Sequence, residues 1–517
     1  MSRRKIVIVI LSVVALLPIM IMRDFTPANE LRYISIADEA IADGHLFAFY
    51  NQGEPYADKP PLYFWLVMLG RVLFGSHQMW FLSLLSLLPA MVIIGVMNRW
   101  VLTSMDKTRR QSAALMLATG GMFLGVAVFL RMDMLMTMFI TLALYLFWRL
   151  YVGEGGSREQ WLFPVCVFLA LFSKGPVGLL MPLLVTVGFL ILQHKWRDIV
   201  RYWGWRSWCV LLVGCAVWFG CVWLEGGSEY LDNLLFHQTV DRAVNAFHHK
   251  EPVWFYCAAI WWSMAPWSIF AVTVIVVSLW RGGVKTELER FFLTIVVTTF
   301  IMLSVFSSKI AIYLLPIFPF IIYLAMLCLP NVEACRWLKW TIAVPAAISC
   351  LALPAVLVVG YFTDIAPIMR DAWLVVGATI LSLSALVVLR TLWREDTIYR
   401  TVKYFVAAIF VAIFFAGFAI PHMNKFLGYQ VLCEQAERLL PGTDSNIYTW
   451  HVRRSDNMDV YLKRDVMLVT TEQILSGECR DGVLILRRSH LDKDESVKEF
   501  VADRLCWQDA LYAMVVL

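Results

Sequence analysis

The stretch Arg23–Trp65, RDFTPANELRYISIADEAIADGHLFAFYNQGEPYADKPPLYFW, decides how the chain is read. Between two apolar runs it concentrates Asp24, Asn29, Glu30, Arg32, Tyr33, Asp38, Glu39, Asp58 and Lys59. A solvated tether has no need of that mixture of carboxylates, cations and rings. The stretch is read as an active-site loop lying on a membrane, part of a first outer loop over residues 23–78.

The surroundings of the loop require lipid. The 517 residues are 60% hydrophobic and 16% charged, with a mean hydropathy of +0.69. A soluble globular protein carries about 25% charged residues. Apolar runs recur from Ile6–Met22 to Tyr404–Ile420, about thirteen in all, and the shorter ones borrow length from their flanks to cross a bilayer. The first run has no small-residue cleavage site after it and is expected to be a retained helix rather than a signal peptide. The fold class expected is therefore an α-helical polytopic membrane protein over residues 1–421, followed by a small α/β domain over 422–517.

Orientation follows from the short loops. Arg3, Arg4 and Lys5, then Arg99 to Arg110, Lys195 to Arg206, Arg281 to Arg290 and Arg390 to Lys403 alternate onto one face. Excess Lys and Arg mark the cytoplasmic side. The N-terminus is then cytoplasmic, and the polar loop and C-terminal domain lie outside, in the periplasm if the membrane is a bacterial inner membrane. Eight of the eleven cysteines lie in or beside apolar runs and read as small core residues. Cys433, Cys479 and Cys506 fall in the tail, where one pair has the chance to oxidise.

Three groups of residues can carry chemistry. Glu30, Asp58 and Asp133 lie at the outer ends of spans or in the outer loop, and a carboxylate in a partly desolvated pocket can take a proton from an attacking hydroxyl. Surface ion pairing with Arg32, Lys59 and Arg131 is the plainer alternative. The cations Lys59, Arg131, Lys174 and Lys309 sit on the face that topology tends to deplete of positive charge, a set suited to a phosphate at the membrane surface. Snorkelling from helix ends is the competing reading. The segment Glu225–Pro252, with His248 and His249, reads as a lid or acceptor loop; adjacent histidines do not share a helix face, so its metal-site geometry is weak. No metal, cofactor or nucleic-acid partner is expected.

Taken in series, PANELRY at 27–33, YADKPPLYFW at 56–65, RMD at 131–133, FSKGPVG at 172–178, HQTVDRAVNAFHHKEPVWFY at 237–256, MAPW at 264–267 and FSSKIAIYLLPIFP at 306–319 form a recognisable order. It resembles the GT-C glycosyltransferases of the aminoarabinose-transferase (ArnT-like) and protein O-mannosyltransferase superfamily, over about Met1 to Pro421. The resemblance implies a GT-C fold and an inverting enzyme that takes a sugar from a polyprenyl-phosphate donor and passes it to a lipid or protein acceptor at the outer face. It places Asn29 and Glu30 at the acidic pair of the first loop, Asp58 and Lys59 at a Glu/Asp-Lys-Pro motif, Asp133 at the acidic opening of a span, and Lys174 and Lys309 at basic positions facing the donor phosphate. Arg32 and Tyr33 are acceptor-side candidates.

Where members carry Asp-Glu, this chain has Asn29-Glu30, and Asn29 does not ionise. Three readings stay open: Glu30 or Asp58 supplies the base, the acceptor is already ionised, or the enzyme is altered. The rival from another class is a polyprenyl-lipid transporter or flippase. Transporters place polar residues near the midplane, often in repeated halves, whereas the ionisable groups here gather at one face and no repeat is visible.

Overall fold

The computed structural model describes residues 3–236, 251–362, 367–394, 398–440, 442 and 445–517. Among these, eight helices are long and apolar enough to cross a membrane, or up to ten if two bent pairs each count as one span. The difference from the expected count has a local cause. The run 253–279 is divided around Pro266 into Phe255–Ser263 and Ser268–Trp280, because proline offers no N–H to continue a helix. Val177–Leu192 is only 16 residues long, and Ser157–Lys174 has Arg158, Glu159 and Lys174 at its ends. Ala311–Asn331 is 89% enclosed by other helices and forms the axis of the bundle. At the periphery Trp280, Leu224 and Val305 are largely exposed, the surface expected of helices solvated by lipid.

The first bent pair makes the outer loop. Val7–Met22 ends, and after a 73° change of direction the chain continues as Pro27–Asp43. Gly44, at φ 76, stops the helix Arg32–Asp43, in the left-handed region that favours glycine. A two-stranded hairpin follows, β1 (Tyr50–Asn51) against β2 (Glu54–Pro55), and then the short apolar helix Leu62–Phe74. The long helix Trp205–Asp232 clamps this hairpin. Its Glu225 carboxylate accepts the backbone N–H groups of Leu46, Phe47 and Ala48. The Tyr230 hydroxyl accepts from Phe49 N at 2.9 Å and donates to Tyr56 O at 2.9 Å. The start of the segment read as a lid is therefore a helical clamp; 237–250, with His248 and His249, lies outside the described residues.

The C-terminal region is a five-stranded mixed sheet. Its strands are β3 (Asn446–Trp450), β4 (Val466–Leu468), β5 (Gly482–Arg487), β6 (Leu505–Gln508) and β7 (Tyr512–Val516), in the order β4-β3-β5-β7-β6. β3 runs parallel to β4 and β5, and β7 antiparallel to β5 and β6. One face, through Ile447, Val483, Ile485 and Met514, shares a core with Leu31, Tyr33 and Ile36 of the outer loop. The other, through Trp450, Leu484 and Leu486, is covered by Ile474, Val497 and Val501. β6 escaped the sequence reading because it is a mostly exposed edge without apolar alternation. All eleven thiols are free, so no tail cysteines pair.

Asp24 joins this region to the membrane bundle. Its carboxylate accepts from Phe25 N at 2.7 Å, Gln430 N at 2.9 Å and the Tyr461 hydroxyl, while Asp24 N donates to Asn424 Oδ1 at 3.0 Å. A Cβ at Gly428 would overlap that fixed carboxylate. Gly428→Ala is therefore expected to cost about 1–3 kcal/mol as an overpacking change, seen as a lower unfolding temperature in detergent and faster proteolysis of the C-terminal region. Asp459 lies on the same seam and accepts from Ser35 Oγ at 3.1 Å. Burial, with Asp38 adding repulsion, pushes its carboxyl up to about 6. The folded state then holds a proton that the unfolded chain releases near pH 4, so this group's stabilisation is present in acid and is lost as pH rises from about 4 to about 6. Asp459→Asn is expected to flatten that part of the stability profile; an unchanged slope refutes the assignment.

Candidate active site

Construction of the site starts at Arg23, where the first helix ends. Its guanidinium makes a two-pronged contact with Glu30, Nη1 to Oε2 and Nη2 to Oε1, the latter at 2.7 Å. Glu30 also accepts Thr26 N and Thr26 Oγ1, both at 2.8 Å, and across the bundle Leu130 N at 2.8 Å. Arg23 is 4% exposed and Glu30 1%. Both carboxylate oxygens are saturated, so Glu30 as placed works as a tie between the outer loop and the turn before Met132–Tyr151, rather than as a base open to a substrate. Ser86 completes the tie. Its hydroxyl donates to Phe129 O at 2.6 Å and accepts Arg131 N at 3.2 Å.

That tie presents Arg131 and Asp133 at the start of their helix. Asp133 is buried and forms an ion pair with Lys174, whose ammonium also lies 4.6 Å from the centre of the Tyr313 ring. A second pair, Lys59 Nζ to Asp58 Oδ2 at 3.1 Å, is largely buried, and the Tyr56 hydroxyl donates to the same oxygen at 3.3 Å. Tyr33 lies within electrostatic reach of both pairs. Burial pushes its phenol up to about 12, against the pull of Arg131 and Arg32 and with the push of Asp133 and Asp58. One hydroxyl thus feels four of the charges the sequence singled out.

The cations are not equally satisfied. Arg32 packs over Tyr56, 5.2 Å from its ring centre, and its Nε is buried without an acceptor. Arg131 has no carboxylate within ion-pairing distance among the described residues. Lys309 is 4% exposed, and among the described residues its ammonium donates only to Glu251 O, at 2.9 Å. A buried ammonium held by one neutral oxygen is expensive unless an anion completes its shell. Tyr313, in the turn Ala311–Ile317 that follows Lys309, connects it with Lys174.

The structure thus brings Arg32, Tyr33, Asp58, Arg131 and Asp133 together, with Lys59 and Lys174 paired to their carboxylates and Lys309 beyond Tyr313. Asn29 is half-buried in the turn Pro27–Leu31, where its carbonyl accepts Arg32 N. Arg23, Tyr56, Ser86 and Tyr313 were missed by the sequence reading. Arg23 was open to detection as the one cation near the start of the quoted loop, and Tyr313 as the ring nearest Lys309. Among the described residues no three His, Cys, Asp or Glu side chains are grouped to hold a metal.

Comparison with known proteins agrees with this architecture. Residues 58–220 match the family described as dolichyl-phosphate-mannose-protein mannosyltransferase, beginning at Asp58 and including Lys174. An undecaprenyl phosphate-α-4-amino-4-deoxy-L-arabinose arabinosyl transferase of Pseudomonas paraeruginosa is 25% identical over 252 residues, 46% of this chain and 44% of the relative. That of Shewanella sediminis is 26% identical over 306 residues, 57% and 54% of the two chains. The chain thus spans about half the length of the curated relatives it matches. The crystal structure of ArnT from Cupriavidus metallidurans bound to undecaprenyl phosphate superposes with a TM-score of 0.77 at 17% identity, covering 99% of this chain and 98% of that one. Its apo form gives 0.76 at 18%, with the same coverage.

The chain has the fold of the ArnT crystal structures, the likeness that the series of motifs implied.

The Glu30 tie has a direct test. Glu30→Gln leaves Arg23 charged and buried, a change of the kind that costs about 3–5 kcal/mol, and should lower the unfolding temperature sharply. Arg23→Met with Glu30→Met should recover much of that loss. A stable Glu30→Gln protein that merely lacks turnover would instead return Glu30 to the role of base.

Proposed function

We propose that this chain is a polyprenyl-phosphate-sugar-dependent glycosyltransferase that works without a metal and passes a sugar to a lipid or protein acceptor at the outer face of the membrane. The observation that carries the reading is Lys309, a buried ammonium without an anionic partner among the described residues, four residues before the Tyr313 ring on which Lys174 packs. A donor phosphate would complete its shell while the polyprenyl chain remains in lipid. In the proposed single displacement an acceptor oxygen attacks the anomeric carbon, the bond from that carbon to the phosphate oxygen breaks, and the electron pair leaves with the phosphate. Inversion at the anomeric carbon follows from that one step. Lys59, Lys174, Lys309 and Arg131 lower the barrier by meeting charge that grows on the leaving group. Asp58, polarised by Lys59 and Tyr56, takes the acceptor proton where there is one to take. Arg32 and Tyr33 face the acceptor, and Asn29 lies beside them in the position where an acidic residue is usual.

For topology we propose about thirteen crossings, reached by adding Ser157–Lys174, Val177–Leu192 and the divided run 255–280 to the ten segments above. The basic loops support a cytoplasmic N-terminus, and an odd count puts the domain 422–517 in the periplasm of a bacterial inner membrane. Charge gathered at one face favours transfer at that face over carriage through the midplane.

The test uses purified protein in nanodiscs with a panel of polyprenyl-phosphate sugars and membrane lipid extract as acceptor source, and follows free polyprenyl phosphate by mass spectrometry. Release that requires the extract is expected. Lys59→Ala and Lys309→Ala should each slow it by roughly 10²-fold or more while the protein still folds. Near-normal turnover in both variants would sink the phosphate assignment.

A further inference from the structure

The C-terminal sheet carries a second cationic site whose residues do not overlap the first. β3 and β5 are adjacent and parallel, Trp450 opposite Leu486. From its carboxyl end β3 leads to β4 on one side, and β5 leads to β6 and β7 on the other. The two outgoing connections diverge, which makes this the switch point of the sheet, the position at which open α/β sheets take ligands. The same three residues occur twice, Arg453-Arg454-Ser455 in the loop after β3 and Arg487-Arg488-Ser489 from the last residue of β5 onward.

Four arginines therefore lie at the carboxyl ends of two adjacent strands, and among the described residues none has a carboxylate in ion-pairing range. Arg487 donates to the Tyr512 hydroxyl at 2.7 Å, and Arg488 to Asp509 O at 2.7 Å. Arg453 and Arg454 are exposed. The nearby acids are committed elsewhere: Asp494 to Val497 N and Ser496 Oγ, Asp509 to Leu511 N and Tyr512 N. His451 and His490, one from each loop, stack with ring centres 4.2 Å apart and planes 7° apart, with Trp450 edge-on to His451 at 4.5 Å. Desolvation, followed by the charges of His451, Lys493 and Arg487, holds His490 below its ordinary range, while Asp494 feels His451. The stacked rings thus lie within reach of the charges of Arg487, Lys493 and Asp494. His451 and Arg454 also both have left-handed backbones, at φ 54 and 55, a conformation costly for residues with side chains.

We propose that this edge binds a phosphate-class anion, a mono- or diester, with Arg453, Arg454 and Arg487 as its ligands and the His451–His490 pair against it. Guanidinium forks match phosphate oxygens in geometry as well as charge. The loop after β3 continues into the segment that touches the outer loop through Gln52 to Asp456 O, Ser35 to Asp459 and Tyr461 to Asp24. Occupancy of the edge is thereby linked to the loop that builds the candidate active site. Binding here is independent of whether the first site transfers a sugar.

The experiment uses full-length protein labelled at histidine, in phosphatidylcholine nanodiscs, with His451 and His490 assigned by H451Q and H490Q. Their ring signals are titrated with pH in the presence and absence of inorganic phosphate, and again in discs doped with phosphatidic acid. A shift of both rings and a rise in their apparent pKa on adding either anion is expected. Response to both, or to inorganic phosphate alone, supports the site and points to soluble phosphates; response to phosphatidic acid alone supports it and makes a lipid headgroup the source. Arg453→Gln and Arg454→Gln should each weaken the response by roughly tenfold, with melting unchanged. Rings unmoved by both anions, or a response undiminished in the double arginine variant, would overturn the proposal.

Discussion

The buried contact between Arg23 and Glu30 is the interaction on which the outer half of the molecule depends. An ion pair at this depth gains little over apolar residues of the same shape, because both charges leave water. Its value here is positional. Glu30 accepts from its own turn through Thr26 and from Leu130 in a distant connection, so one carboxylate fixes the entry of the outer loop against the helix bearing Arg131 and Asp133. Asp24, adjacent to Arg23, fixes the same entry against Gln430 and Tyr461. Two consecutive residues thus locate the bundle, the loop and the C-terminal sheet relative to one another.

Around that frame the charges fall into two kinds. Asp58 with Lys59 and Asp133 with Lys174 are neutralised in pairs, which makes their positions stable without a ligand. Arg131 and Lys309 lack such carboxylates among the described residues, and Tyr33 records the combined field. A cluster in which two cations are paired and two have no carboxylate partner among the described residues can admit an anion without first breaking its own salt bridges. The rings Tyr33, Tyr56 and Tyr313 packed among these charges lower the local dielectric, so that each remaining charge acts more strongly.

Much of this was legible in the sequence because lipid imposes simple rules. Long apolar runs, basic loops on one face and single cations on the other can be read residue by residue, and the four cations named from the sequence all lie near the outer loop or the turn at Lys309. Span boundaries were less legible, since Pro266 divides one run and two candidate spans are short or charged at their ends. Which carboxylates are tied and which remain available was not legible at all. Glu30 and Asp58 look alike in one dimension, and it takes the contacts from Arg23 and Thr26 together with the approach of Leu130 N, a hundred residues away in sequence, to separate the tie from the candidate base. β6 was lost for a different reason: an exposed edge strand has no buried face to impose alternation.

Within the proposed reaction, Asn29 acquires a physical meaning once Glu30 is set aside as neutralised by Arg23. Among the described residues, what remains at the candidate site is two carboxylates, Asp58 and Asp133, against Lys59, Lys174, Lys309, Arg32 and Arg131. An aspartate at position 29 would reduce that positive excess by one and would supply a second base. Without it the balance favours a multiply charged anion over a neutral acceptor that must lose a proton. Departing polyprenyl phosphate is such an anion, and an acceptor that is itself a phosphate needs no base. Within the proposed reaction, Asn29 therefore shifts the site from acid–base work toward holding phosphate, and the acceptors it suits are those already ionised at neutral pH.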